Sequence, residues 1–196
     1  GTILAGQTSI TIPVVTIDDV RDEVATEYFN LSISAPVNAL IGDALGQGPI
    51  NDNDNPPNLY ISDAAITEGG TLQFIVSLSA LSDLQVDFNY LTQDGVGGDS
   101  AVAPGDYGTI SLTAGQITAG SISILVSVVT VQDLIFEQNE KMTVTLSSVV
   151  NAGNGDLNGE GTINNDDSQP NIYIGDSTVT EGQTAVFAVT ISQLTS

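Results

Sequence analysis

The chain has 196 residues, 41% of them hydrophobic, and carries 24 Asp plus Glu against 2 Lys plus Arg for a formal charge of −22. That apolar content is enough for a packed core, while so negative a surface repels nucleic-acid phosphates and anionic lipid headgroups, so neither is an expected partner. With no Cys and no His, disulfides, thiolate and imidazole chemistry, and the usual zinc and copper sites drop out.

From the start of the chain, AGQTSITIPVVTIDD at 5–19 returns as AGSISILVSVVTVQD at 119–133, a shift of 114 positions. Acidic residues follow the first copy at Asp18, Asp19, Glu23 and Glu27, and again at Asp52 and Asp54 in the polar stretch INDNDNPPN. A second self-match, at a shift of 113, lays residues 48–79 on 161–192 with 16 of 32 identical, among them Asp54/Asp167, Tyr60/Tyr173 and Glu68/Glu181. Internal repetition at a fixed period signals an array of like units. The expected division is the back part of a first repeat at 1–56, a complete repeat at 57–167, and the opening strands of a third at 168–196. Pro56, Pro57 and Pro170 make the connectors short and stiff. No secretory leader opens the chain and Gly1 is not a native start, so an excerpt of a longer protein is expected.

Within the complete repeat, Leu72, Phe74, Val76 and Leu78 alternate with mostly polar residues, the period of a half-buried strand. Val86, Phe88 and Tyr90 repeat the pattern, as do Ile122, Ile124, Val126 and Val128, then Met142, Val144 and Leu146. Gly-rich turns, DGVGGD and NAGNGD, punctuate the rows. No stretch holds a helical period over three turns. The fold class is therefore all-β, an antiparallel sandwich of roughly seven short strands per repeat. The longest apolar run, ISILVSVVTV from Ile122, is far too short to span a bilayer, so direct membrane insertion is not expected.

The carboxylates of this repeat sit at predicted strand ends: Glu68, Asp106, Asp133, Glu137, Glu140, Asp166 and Asp167. Antiparallel strands can bring such positions to one end of the sandwich. A hard cation such as Ca2+ takes six to eight oxygens from flexible acidic loops, and gathering so many charges without one costs several kcal/mol in repulsion. A solvated acidic rim is the bland alternative for any one of them. Carboxylate pairs such as Glu137 and Glu140 also suit glycoside hydrolysis, but no Trp is present to stack a sugar and no His to act as base. An enzyme is not expected.

ITEGGTLQFIVSLS and VTEGQTAVFAVTIS, with VDFNYLTQDG…APGDY, VVTVQDLIFEQNEKMTVTLS and the closing GTINNDD, resemble Calx-beta domains in the order of their four motifs. The resemblance implies a seven-stranded sandwich that binds Ca2+ at the loop end near the next domain. Carried over by motif, it assigns metal-ligand roles to Glu68 of Thr-Glu-Gly and Asp106 of Gly-Asp-Tyr, to Asp133, to Glu137 and Glu140 of the acidic turn, and to Asp166 and Asp167. The first partial repeat supplies Asp18, Asp19, Glu23, Asp52 and Asp54, and the third supplies Glu181. Gln132, Asn139 and Asn165 stand where the most acidic members of the family carry carboxylates, which implies fewer or weaker calcium sites.

The leading functional expectation is a calcium-rigidified structural or adhesion repeat module of a larger secreted or cell-surface protein, located outside the cell. Its partners are neighbouring repeats of the same protein, with any cell-surface or matrix partner bound through other domains. A regulatory calcium sensor of a membrane transport protein is the alternative. A further one is a head-to-tail homopolymer, in which residues 171–196 of one chain complete residues 1–54 of the next by strand exchange.

Overall fold

The computed structural model describes residues 1–194; Thr195 and Ser196, the last two residues of the expected third segment, lie outside the described residues. All regular structure among the described residues is β, and the chain divides into two compact units, Gly1–Asn55 and Pro56–Ser196. In the first unit β1 (Thr26–Ser32) and β2 (Leu45–Asn51) form an antiparallel hairpin, with Thr26 opposite Asn51 and Ser32 opposite Leu45.

The second unit begins with β3 (Asn58–Ile61), β4 (Ala64–Thr67), β5 (Thr71–Leu78) and β6 (Val86–Asp94). It continues with β7 (Thr113–Ile117), β8 (Ser123–Val129), β9 (Glu140–Val150), β10 (Gly153–Asn154) and β11 (Asn158–Asn164). One sheet has the order β10-β3-β5-β8 and the other β4-β11-β9-β6-β7, and together they form the expected sandwich. A separate hairpin follows, β12 (Ile172–Ile174) with β13 (Val189–Ile191).

Four plus five segments thus stand where seven strands were expected. One reason is that the first strand breaks at Ser62–Asp63 and serves both sheets. The Ile75 amide donates to Ser62 Oγ (3.0 Å) and the Glu160 amide to Asp63 Oδ1 (2.8 Å), so side chains accept from two of the amides at the break, while the Ser62 amide still donates to the Ile75 carbonyl (2.9 Å). The other is the two-residue β10, formed inside the predicted NAGNGD turn, which pairs in parallel with β3.

The alternating rows become the core. Leu72, Phe74 and Val76 of β5 are fully buried in one cluster with Val86, Phe88, Val126, Val128, Met142, Val144 and Tyr107. Each such side chain contributes about 1.5–3 kcal/mol by leaving water. Sheet approach is close enough that a Cβ at Gly161 of β11 would meet Met142 Sδ at 2.7 Å and Leu72 Cδ1 at 2.9 Å. One predicted core position fails: Ile122 is 44% exposed, because it precedes Ser123, the first residue of β8.

Residues 5–19 match the segment that holds β8, yet they form no strand, and Ile10, Ile12, Val14 and Val15 are exposed. In the second unit β8 is held along its length by β5. A strand without a hydrogen-bonding neighbour leaves its amides and carbonyls to water and gains nothing by extending.

Candidate metal centre

Sheet registry brings five strand ends together. β4 and β11 run parallel with Thr67 opposite Asn164, so both finish at the same place. β9 is antiparallel to β11 with Glu140 opposite Ile163, so it starts there, and β6 finishes there with Asp94 opposite Met142. The end of β8 is drawn in by the turn after β4: the Thr130 amide donates to the Gly70 carbonyl (2.9 Å) and the Gly69 amide to the Val131 carbonyl (3.1 Å).

The turn depends on Gly69, whose φ of 74° is costly for any residue with a Cβ. It closes through the Gly70 amide on the Thr67 carbonyl (3.1 Å) and aims Glu68 across to β11. There the Glu68 amide donates to the Asn164 carbonyl (3.0 Å), and Glu68 Oε1 accepts from the Asp166 amide (3.0 Å).

Two groups of three carboxylates result. Glu68, Asp133 and Asp167 each place an oxygen within 4.8 Å of the others, and Asp106, Glu137 and Glu140 do the same. Glu68 and Asp133 of the first group and all three of the second line a single small cleft, together with Val131, Gln138, Ile163 and Asn165. Asp133 Oδ1 accepts from the Ile135 amide (2.7 Å), which folds the segment after β8 back on itself. Asn165 stitches the last strand to the acidic turn: its Oδ1 accepts from the Glu137 amide (3.2 Å), and its own amide donates to Asn139 Oδ1 (3.2 Å).

This crowding is visible in the acid–base behaviour. Glu140 is pushed up to about 7, by burial first and then by Asp106 and Glu137. Glu68 is raised by burial, partly offset by the Asp166 amide, with Asp166, Asp167 and Asp133 adding repulsion. Asp167 is raised by burial and then by Asp166 and Asp133. Burial and mutual repulsion thus act on the same carboxylates, and both favour their protonated forms.

Residues 52–178 match the Calx-beta domain in a comparison with protein families. The chain belongs to that family.

Among solved structures, the apo form of the Calx CBD1 domain superposes with a TM-score of 0.51 at 18% identity, over 58% of this chain and all of that one. CBD12 from CALX1.2 superposes with a TM-score of 0.50 at 14% identity, over 68% of this chain and 70% of that one. These likenesses concern the fold. No curated protein matches the chain.

The Calx-beta domain here fits a hard cation on its own geometry. Among the described residues Asp167 Oδ2 is shut off from solvent and has no hydrogen-bond partner, and Asp167 is the residue that shares a 4.8 Å group of carboxylate oxygens with Glu68 and Asp133. An acceptor so placed costs free energy unless a cation or donor meets it, and a set made only of oxygens suits Ca2+ or Mg2+ rather than a soft metal. Asp166, also expected as a ligand, falls outside both groups: its Oδ1 accepts from Gln132 Nε2 (3.0 Å).

In the first unit, Asp18, Asp19, Glu23, Asp52 and Asp54 line a cleft of their own with Glu27. Asn53 Nδ2 donates to Asp18 Oδ1 (3.2 Å), and the Glu23 amide lies 3.4 Å from Asp52 Oδ2. Asp54 is raised by burial, then by Asp52 and Asp18. Among the described residues these carboxylates form no group as tight as the two above. Asp22 is only 5% exposed, and nothing in its spacing along the chain sets it apart from its acidic neighbours. Glu181 sits exposed in the turn after β12, in neither group.

Proposed function

We propose that residues 57–167 form a Calx-beta repeat that binds Ca2+ at its acidic end. In this reading it serves a larger extracellular or cell-surface protein as a calcium-rigidified structural or adhesion module. The observation that carries the reading is Asp167 Oδ2, a buried acceptor without a donor among the described residues, on a carboxylate grouped with those of Glu68 and Asp133. Glu68, Asp133 and Asp167 would hold one ion, and Asp106, Glu137 and Glu140 a second. The ion supplies the positive charge that 2 Lys plus Arg in the whole chain cannot.

The chain's own part is to join the turn after β4 to the residues that leave β11. Glu68 already binds the Asp166 amide, and Asn165 Nδ2 donates to the Asp167 carbonyl (3.0 Å). Three residues further on is Pro170, whose restricted φ shortens the list of conformations open to the segment that follows Asp167. In this reading residues 1–56 and 168–196 belong to neighbouring repeats, and successive repeats are the module's partners.

Calcium titration by calorimetry, with magnesium as control, tests the proposal. A dissociation constant of roughly 10⁻⁴–10⁻³ M is the range of extracellular modules, and about 10⁻⁷–10⁻⁵ M that of sensors. The tighter range would favour the alternative of a regulatory domain in a membrane transport protein, to which the shared fold with Calx CBD1 lends support. A titration without heat, and a melting curve indifferent to calcium and chelator, would overturn both.

A further inference from the structure

We infer that Asp94, outside both groups of carboxylates, is the positioning residue that folds the loop at 95–106 and so brings Asp106 to Glu137 and Glu140. The inference rests on the calcium reading above and deepens it. Asp94 is the last residue of β6. Its Oδ1 accepts two hydrogen bonds, from the Ala103 amide (2.9 Å) and from the Tyr107 hydroxyl (2.6 Å). Tyr107 is 1% exposed, so its ring is part of the core and its hydroxyl has a fixed address.

The two residues that Asp94 grips are the neighbours of a second closure. Val102 and Asp106 bind each other: the Asp106 amide donates to the Val102 carbonyl (3.1 Å), and Asp106 Oδ2 accepts from the Val102 amide (2.6 Å). Ala103 follows Val102 and Tyr107 follows Asp106. One carboxylate oxygen therefore holds both sides of the loop that presents Asp106. The carbonyl of Asp106 is pinned independently, by the Val131 amide (2.8 Å).

The same loop also grips the backbone beside Glu140. The fully buried Ala101 donates its amide to the Lys141 carbonyl (2.9 Å), and the Lys141 amide donates to the Asp99 carbonyl (2.9 Å). At the near end the Gly95 amide donates to the Ala101 carbonyl (3.1 Å). Two of the three carboxylates in the second group thus depend on one loop, and that loop turns on Asp94. The amide of Ala103 and the Tyr107 hydroxyl hold Asp94 below the usual carboxylate range, which keeps it an acceptor.

The test is a calcium titration of five chains: wild type, Asp94→Ala, Asp94→Asn, Asp106→Asn and Asp94→Ala combined with Asp106→Asn. Asp94→Ala removes the acceptor and is expected to weaken the second calcium step at least tenfold. Asp94→Asn keeps a carbonyl oxygen for both donors and is expected to stay within about threefold of wild type. The double variant is expected to bind no worse than Asp106→Asn alone, since both changes disable the same group. Melting in chelator separates positioning from general support: the calcium-dependent increment in Tm shrinks in Asp94→Ala, beyond any loss seen in chelator. Should Asp94→Ala fail to fold, Tyr107→Phe removes one of the two bonds and keeps the core ring, with a loss of several-fold expected. Wild-type affinity in Asp94→Ala, or in Tyr107→Phe where that variant stands in, overturns the inference, as do fully additive losses in the double variant. A wild-type chain that takes up no calcium overturns the functional reading itself.

Discussion

The turns at residues 67–70 and 180–183 both begin Thr-Glu-Gly and fold alike. Gly69 and Gly182 have φ of 74° and 82°, and the following amide returns to the Thr carbonyl at 3.1 Å in both. There the likeness stops. Glu68 lies among Asp133, Asp167 and the Asp166 amide, whereas Glu181 is exposed and belongs to neither carboxylate group. Four residues are enough to write the turn. The site needs what surrounds it: β11 alongside, the end of β8 drawn in by Gly70, and the loop after β6.

The largest expected difference between the two turns is their response to calcium. With free calcium a hundredfold above Kd, binding to the folded state adds about 2.7 kcal/mol, which raises the melting temperature of a domain this size by roughly 10 °C or more. Calorimetric scans in calcium and in chelator should show this gain for the domain that contains Glu68. Exchange rates of amides in the β12–β13 hairpin should be the same in both conditions.

Substitution sharpens the contrast. Glu68→Gln should weaken calcium binding tenfold or more, about 1.4 kcal/mol, while Glu181→Gln leaves the titration unchanged. Asp87→Asn, on β6 away from the acidic end, serves as the control for diffuse charge. Equal effects from all three would mean an acidic surface and no site.

The glycines provide a smaller contrast. Alanine in the left-handed region costs about 1–2 kcal/mol, and at position 69 its Cβ would also meet Gln132 Cβ at 2.9 Å. Gly69→Ala should therefore lower Tm by several degrees. Gly182→Ala meets nothing within 4 Å and should leave the domain's melting where it is.

Protons report the same crowding most gently. Glu140 titrates near 7 in the folded chain against an ordinary 4.5, raised by burial, Asp106 and Glu137. The folded state therefore holds this proton more tightly than the unfolded state, so in chelator stability should fall as pH rises from about 4.5 to 7 and level off above. Calcium should flatten or reverse that slope, and its affinity should climb through the same interval as the carboxylates release protons. In Glu140→Gln the chelator slope should shrink. A slope equal to wild type would show that this residue is not the group responsible.

Much of this arrangement could be read from the chain. The alternation of Leu72, Phe74 and Val76 is enough to place them inside, because a strand has only two faces. Six of the seven carboxylates named in the complete repeat fall into the two groups, because strand-end positions converge once the sheets form. Asp166 differs, since the Gln132 amide occupies its Oδ1. The part that stayed hidden depends on contacts between distant residues. Asp94 reads as the start of a Gly-rich turn, and only the fold shows it between Ala103 and Tyr107. Likewise Ser62–Asp63 looks like an ordinary polar pair until β5 and β11 supply the amides that break the strand there.

The parallel pairing of β4 with β11 also decides how the domain answers a pull on its ends. The chain enters β4 at Ala64 and leaves β11 at Asn164, at opposite ends of one ladder whose registry runs from Ala64 opposite Gly161 to Thr67 opposite Asn164. Tension along the chain loads those hydrogen bonds together, in shear, so that they give way as a set rather than peeling one at a time. At the trailing end of the ladder stands the link from the Asp166 amide to Glu68, beside the carboxylates. An ion bound there would be a rivet added to that set, and the force needed to extend the domain would rise and fall with the calcium around it.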